Sequence, residues 1–149
     1  MSLRKNKFTK KDKLFMNLAL NLASDRLGLT GENPSVGCVI VKNNTIISTG
    51  QTGLNGRPHA EYNAIKSCKK NLTGSTIYVS LEPCSHYGKT PPCTNIIVKS
   101  KVKKVIFSIE DIDTRTKFKS IKIFKRKKIQ VKYGLLKNDA KEIYKSYIY

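Results

Sequence analysis

Four side chains in this sequence have the types and spacing that suit metal-assisted hydrolysis. His59 and Glu61 lie in Pro58-His59-Ala60-Glu61, and Cys84 ends Leu81-Glu82-Pro83-Cys84. Cys93 follows after an eight-residue spacer that closes with Pro91-Pro92. One imidazole and two thiolates form a borderline-soft donor set that suits Zn2+. Three protein ligands leave one tetrahedral position open, which is the catalytic rather than the closed structural arrangement. Glu61, two residues from His59, is close enough to serve that position without coordinating. A carboxylate there takes a proton from metal-activated water and passes it on.

Each part also has a plainer reading. A lone His at a loop–helix junction is commonly structural, and two cysteines in one loop are half of a closed structural site. A closed site needs a fourth ligand, for which His86 and the two other cysteines are the nearest candidates. The stretch Ser85-His86-Tyr87-Gly88 reads better as a turn facing a substrate. The joint occurrence of His-x-Glu, Pro-Cys and a later Cys, each at an element boundary, favours the catalytic reading. It is the signature of zinc deaminases. In that chemistry activated water attacks an amidine-like carbon bearing an exocyclic amine. Glu61 carries the proton to the ring nitrogen and then to the departing ammonia, and no covalent enzyme intermediate is needed. Asn33, held extended by the following Pro34, could hold the base or its sugar. A plain turn residue before proline is the rival reading for Asn33.

The elements that must position these residues follow from the apolar pattern. Leu14, Leu18 and Leu22, with Phe15, Ala19 and Ala23 alongside, predict an amphipathic helix from Lys13 to about Leu27, with Thr9 and Asp12 as a weak start signal. The continuous apolar run Val36 to Val41 suits a strand covered on both faces. Asn43-Asn44 turns it into a second strand, Thr45 to Thr49. A helix from His59 to about Lys70 has His59 and Glu61 in its first turn and Ala64, Ile65 and Cys68 on its buried side. Its N-terminal N–H groups and dipole favour an anion nearby. Ser75 to Leu81 is a strand aimed at Cys84, and Cys93 opens a helix to about Ser100. A strand Lys104 to Ile109, a helix Phe118 to Lys128, a strand Ile129 to Tyr133 and a helix Asn138 to Tyr149 complete the chain. This alternation predicts a sheet layered between helices.

With 149 residues and 39% hydrophobic content, residues 1–149 are expected to form one globular domain. No apolar stretch is long enough to cross a bilayer, and the basic start, Ser2 to Lys13, is followed by no secretory h-region. Two of the four cysteines are explained as metal ligands, and Cys38 and Cys68 are expected as buried or inert thiols. A reducing cytoplasm is the consistent compartment. The formal net charge of +19 suits a polyanion such as RNA. Lys greatly outnumbers Arg, however, and is spread along the whole chain, which favours a solvated lysine-rich surface over a nucleic-acid reader. A phosphorylated small substrate gains from the positive field either way.

The sequence resembles the deaminase domain of the riboflavin-biosynthesis bifunctional deaminase/reductase family, over about Met16 to Gly134. The resemblance is carried by residues 32–41, by His59-Ala60-Glu61-Tyr62-Asn63-Ala64 and by residues 78–93. The spacer Ser-His-Tyr-Gly-Lys-Thr-Pro-Pro sets it apart from transfer-RNA adenosine deaminases and cytosine deaminases, whose two cysteines usually lie two residues apart. The resemblance implies a three-layer α/β/α cytidine-deaminase-like sandwich around a mixed sheet of about five strands. It implies hydrolytic deamination of 2,5-diamino-6-ribosylamino-4(3H)-pyrimidinone 5′-phosphate, a zinc-dependent reaction. His59, Cys84 and Cys93 would then hold zinc, Glu61 would shuttle protons, and Asn33, Lys89 and Asp111 would bind substrate, Lys89 through its phosphate. A homodimer follows by analogy with the superfamily, and a reductase, fused or separate, is the expected partner. Another nucleobase or nucleotide, or an RNA, is the alternative substrate.

Three departures from the family pattern fall around the expected ribose phosphate. Thr52 stands where the family usually has a His, Asp113 replaces an Asn in the segment that opens with Asp111, and Arg115 to Ser120 replace a glycine-rich continuation. Asp113 would repel a phosphate unless Arg115 or Lys117 offsets it. The reductase domain is expected to be absent from this chain, which has no Rossmann-type glycine pattern.

Overall fold

The computed structural model describes residues 7–148, with the side chain of residue 148 left aside; the first basic residues, 1–6, and Tyr149 lie outside the described residues. A five-stranded sheet runs in the order β2-β1-β3-β4-β5. The strands are β1 (Gly37–Lys42), β2 (Thr45–Gln51), β3 (Thr76–Leu81), β4 (Lys104–Ile109) and β5 (Gln130–Tyr133). β1 lies antiparallel to both β2 and β3, while β3, β4 and β5 are parallel. The hairpin turn has Asn43 and Asn44 both at positive φ, 52° and 61°, as a two-residue turn of the primed type requires.

Helices α1 (Lys10–Asp25) and α5 (Lys137–Ile148) cover one face of the sheet. Helices α2 (Ala60–Ser67), α3 (Cys93–Lys99) and α4 (Lys119–Arg126) cover the other. Val39, Tyr78 and Ile106 point into the first core, and Cys38, Ile40, Ile77, Val79, Val105 and Phe107 into the second. The three central strands therefore carry apolar side chains toward both faces, because both are covered. The expected three-layer α/β/α architecture and mixed sheet are present. All four cysteines are free thiols.

Two details differ from expectation. The Leu14–Leu18–Leu22 row is not the inner face of α1: Leu14 is 64% exposed, and Leu18 and Leu22 only flank the core. The neighbouring row, Phe15, Met16, Ala19, Leu20 and Ala23, is buried instead. Its two alanines let β1 approach so closely that a Cβ on Gly37 would sit 1.9 Å from the Ala19 carbonyl oxygen. The start signal proved a full capping box, with Thr9 and Asp12 each accepting from the other's backbone N–H. Helix α2 also ends early, at Ser67. Cys68 is extended, half-buried, and reaches the Ile47 carbonyl, so it is not a buried helical residue.

Helix α5 clamps the approach to β1. Tyr144, fully buried, donates to the Ser35 carbonyl at 2.7 Å and meets Ser80 Oγ at 2.7 Å, which in turn accepts from Gly37 N. Tyr147 donates to the Asn33 carbonyl at 2.9 Å. Residues 33–37 are thereby fixed from the helical layer opposite the site.

Candidate metal centre and active site

Parallel strands carry their functional loops beyond their C-terminal ends. Here the ends of β3 and β4 meet the N-termini of α2 and α3, and β1, running the other way, brings its N-terminal approach to the same edge. His59 is the N-cap of α2, Cys93 is the first residue of α3, and Cys84 lies three residues beyond β3. Their ligand atoms all fall within 4.8 Å of one another. His59 Nδ1 is 3.3 Å from Cys93 Sγ and 3.8 Å from Cys84 Sγ. A tetrahedral zinc with bonds of about 2.3 Å to sulfur and about 2.0 Å to nitrogen has edges of roughly 3.5–3.8 Å, so the donor set fits such an ion. Among the described residues no fourth His, Cys, Asp or Glu joins the cluster, and His86 stands apart from it.

The thiols are already polarised toward binding. Cys84 is held down to about 4, chiefly by a hydrogen bond from Cys93, with further help from His59 and the Cys93 backbone N–H at 3.2 Å. Cys93 keeps the shared proton and is pushed far up by that same bond and by burial. Metal uptake removes this proton. His59 is raised, first by its hydrogen bond to Cys84.

Glu61 sits in the first turn of α2, 4% exposed and outside the ligand cluster. Burial lifts its carboxyl to about 7, with the Cys84 thiolate adding to the rise. It lines a cavity of about 200 Å³ together with Asn33, Asp111, His59, Cys84 and His86. Asn33, one of the lining residues, donates through Nδ2 to the Gly56 carbonyl at 2.9 Å. Asp111 accepts from Asp113 N and from Thr116 Oγ1 at 2.7 Å, so both its oxygens already shape the loop. Lys89 is exposed and is not part of the lining, although Gly88 and Thr90 on either side of it are.

Thr52 is buried against the same cavity, and its hydroxyl accepts from Val36 N at 2.9 Å. Asp113 is neutralised by Arg115, whose Nη2 lies 2.8 Å away and whose Nε reaches both carboxylate oxygens. That pairing holds Asp113 down to about 2. Lys117 turns instead to Glu110, at 3.7 Å.

Two contributors escaped sequence reasoning. Glu82, in the same run as Cys84, is a buried carboxylate that accepts from Asp111 N, Phe118 N, Ser120 N and Ser120 Oγ. It ties the loop after β4 to the loop that carries Cys84. An acid immediately before Pro-Cys at the end of an apolar strand is the signal that could have found it. Arg57, before Pro58, lines the cavity and donates to Thr90 Oγ1 at 2.6 Å.

Comparison with known proteins agrees with this arrangement. Residues 9–109 match the family model for the cytidine and deoxycytidylate deaminase zinc-binding region. A diaminohydroxyphosphoribosylamino-pyrimidine deaminase of Buchnera aphidicola subsp. Schizaphis graminum is 39% identical over 137 residues, covering 92% of this chain and 93% of its own. The riboflavin biosynthesis protein RibD of Bacillus amyloliquefaciens is 41% identical over 93% of this chain, which spans only 37% of that protein's length. The structure of RibD from Acinetobacter baumannii superposes with a TM-score of 0.89 at 39% identity, covering 93% of this chain and 39% of that one. A cyanophage S-TIM5 dCMP deaminase, 22% identical over 85% of this chain and 99% of its own, shares the fold with a TM-score of 0.65. Among the described residues no helix is long and apolar enough to cross a membrane. The chain belongs to the cytidine and deoxycytidylate deaminase family, in the branch of the diaminohydroxyphosphoribosylaminopyrimidine deaminases.

Proposed function

We propose that this chain deaminates a diaminohydroxyphosphoribosylaminopyrimidine by hydrolysis, with zinc held by His59, Cys84 and Cys93. The observation that carries the reading is a buried carboxylate, Glu61, beside a three-donor cluster that faces a small polar cavity. When bound, zinc supplies a Lewis acid that brings a water's pKa toward neutrality. Glu61 would take one proton from the attacking water and give it to the ring nitrogen, then take the second from the new hydroxyl on carbon and give it to the exocyclic amine. A carbon–oxygen bond forms, the carbon–nitrogen bond breaks, and ammonia leaves. A carboxyl whose charged form is disfavoured by burial is suited to taking up and releasing a proton. Asn33 Oδ1 accepts a hydrogen bond from an N–H of the base and sets which carbon faces the metal. Asp111 shapes the cavity wall. The substrate assignment is supported by the Buchnera relative, which matches this chain over nearly its whole length. The ring product would go on to a reductase, fused or separate, because the longer relatives include a deaminase/reductase from Thermotoga maritima.

The test is ammonia release from the phosphorylated pyrimidine by zinc-loaded protein. Glu61→Ala is expected to keep its zinc and lose at least about 100-fold in rate. Cys84→Ser and Cys93→Ser are expected to lose the metal. A zinc-loaded protein that releases ammonia only from a structured RNA, or a Glu61→Ala variant that stays active, overturns the reading.

A further inference from the structure

We propose that Arg57 is the anchor for the substrate's phosphate, an assignment that rests on the phosphorylated pyrimidine proposed above. Among the described residues Arg57 is the one Lys or Arg lining the 200 Å³ cavity, whose other charged walls include the acids Glu61, Glu82 and Asp111. An anion entering there meets three carboxyl groups and a single guanidinium.

The size of the cavity fixes where the phosphate must go. Sites for whole drug-sized ligands measure about 300–1,000 Å³. A cavity of about 200 Å³ takes the pyrimidine ring, and the ribose phosphate has to extend outward. Arg57, His59 and Thr90 also line an adjoining groove of about 780 Å³, which has Lys66 and Lys99 further along it and no acid in its wall. Arg57 thus stands at the passage between the ring pocket and a cationic groove.

Its side chain is also held ready. It is half-buried, Nη1 donates to Thr90 Oγ1 at 2.6 Å, and no carboxylate among the described residues pairs with it. The guanidinium passes over Gly88, where an added Cβ would lie 3.9 Å from Nη2. One nitrogen is tethered to the loop, and the rest of the planar fork is left to match phosphate oxygens. The other candidates are less well placed. Lys89 lines neither the cavity nor the groove, and the Thr52 hydroxyl is engaged by Val36 N.

The experiment measures kcat and KM on zinc-loaded full chain with the phosphorylated pyrimidine and with its dephosphorylated counterpart. Arg57→Gln is expected to raise KM for the phosphorylated substrate between about 10- and about 160-fold, the span of one lost charged hydrogen bond, and to collapse the preference between the two substrates. Arg57→Lys is expected to recover part of that preference, because a point charge replaces a fork. Lys89→Gln is expected to change it by less than about 3-fold, as exposed charges do. If Arg57→Gln leaves the preference intact, weakens both substrates equally, or is matched by Lys89→Gln, the assignment fails. Should Arg57→Gln lose its zinc, Thr90→Val, which frees the guanidinium, is judged by the same ratio. Titration of inorganic phosphate into wild type and Arg57→Gln separates the two proposals. Weaker phosphate binding by the variant sustains the anion site even if no aminopyrimidine is turned over, whereas equal binding removes it.

Discussion

Glu82→Gln isolates what the buried carboxylate contributes. Glu82 Oε1 accepts from Asp111 N and Phe118 N, both at 2.9 Å, and Oε2 from Ser120 N at 3.2 Å and from Ser120 Oγ. A glutamine keeps one acceptor oxygen for the first pair. Its NH2 group then faces Ser120 N, donor against donor, while the Ser120 hydroxyl can rotate to accept. One buried N–H left unsatisfied costs about 1–3 kcal/mol, and the two retained bonds lose their charge assistance, about 0.5–1 kcal/mol each. The sum is about 2–5 kcal/mol. At roughly 3–4 °C per kcal/mol for a chain of this size, calorimetry should show a Tm fall of about 6–20 °C. Hydrogen exchange gives the finer readout: Asp111, Phe118 and Ser120 amides should lose protection well before those of β3 and β4. KM should rise as well, since Asp111 belongs to the cavity wall. A Tm within about 2 °C of wild type, with those three amides still protected, would refute the idea that Glu82 holds the loop in place.

Glu61→Gln should remove a pH dependence of stability in chelator-treated protein. The folded state keeps the Glu61 proton to about pH 7, against 4.5 for the ordinary carboxyl, so its favourable contribution is full below pH 4.5 and is lost as pH rises through 7. The loss is roughly 3 kcal/mol, and urea titrations at pH 5 and pH 8 should show the variant gaining on wild type at the higher pH by about that amount. A constant difference across that range would mean that burial does not hold the proton. Tyr144→Phe removes a buried hydroxyl shared by the Ser35 carbonyl and Ser80. Its expected cost is about 1–3 kcal/mol, read by urea titration, with KM raised more than kcat is lowered because residues 33–37 loosen.

How much of this was legible follows from how local each signal is. Strand β1 announces itself as a continuous apolar run because helices cover both its faces, β3 by the alternation of Ile77, Val79 and Leu81, and Lys104–Ile109 begins and ends where its apolar pattern does. The two-asparagine turn is equally local. Convergence of His59, Cys84 and Cys93 was readable because each lies at an element boundary facing one sheet edge. The inner row of α1 was not, since two adjacent apolar rows compete, and only the close approach to Gly37 selects the one with alanines. The end of α2 was missed because Cys68 leaves the helix to meet Ile47 on a different strand. Glu82 and Arg57 were opaque for the same reason. Glu82 acts on Ser120, 38 residues away, and Arg57 on Thr90, 33 residues away, and no spacing rule reports such pairings.

The excess of lysine and the acidity of the cleft can be reconciled by distance. A net charge of +19 raises the concentration of a phosphorylated substrate around the whole molecule, but salt screens that field within about 8–10 Å. It favours arrival and cannot orient the molecule that arrives. Within the cavity Glu82 and Asp111 hold the loop, Glu61 has the proton transfer of the proposed reaction, and each works against a nearby phosphate. The conflict is resolved by geometry, with the acids lining the ring pocket and Arg57 standing where that pocket opens into a groove free of acids. Arg115 performs a related task further out, pairing with Asp113 so that this acid adds little to the repulsion. On the assignment proposed above, the charge that selects the substrate is the Arg57 guanidinium tethered to Thr90, and the many lysines supply attraction without discrimination.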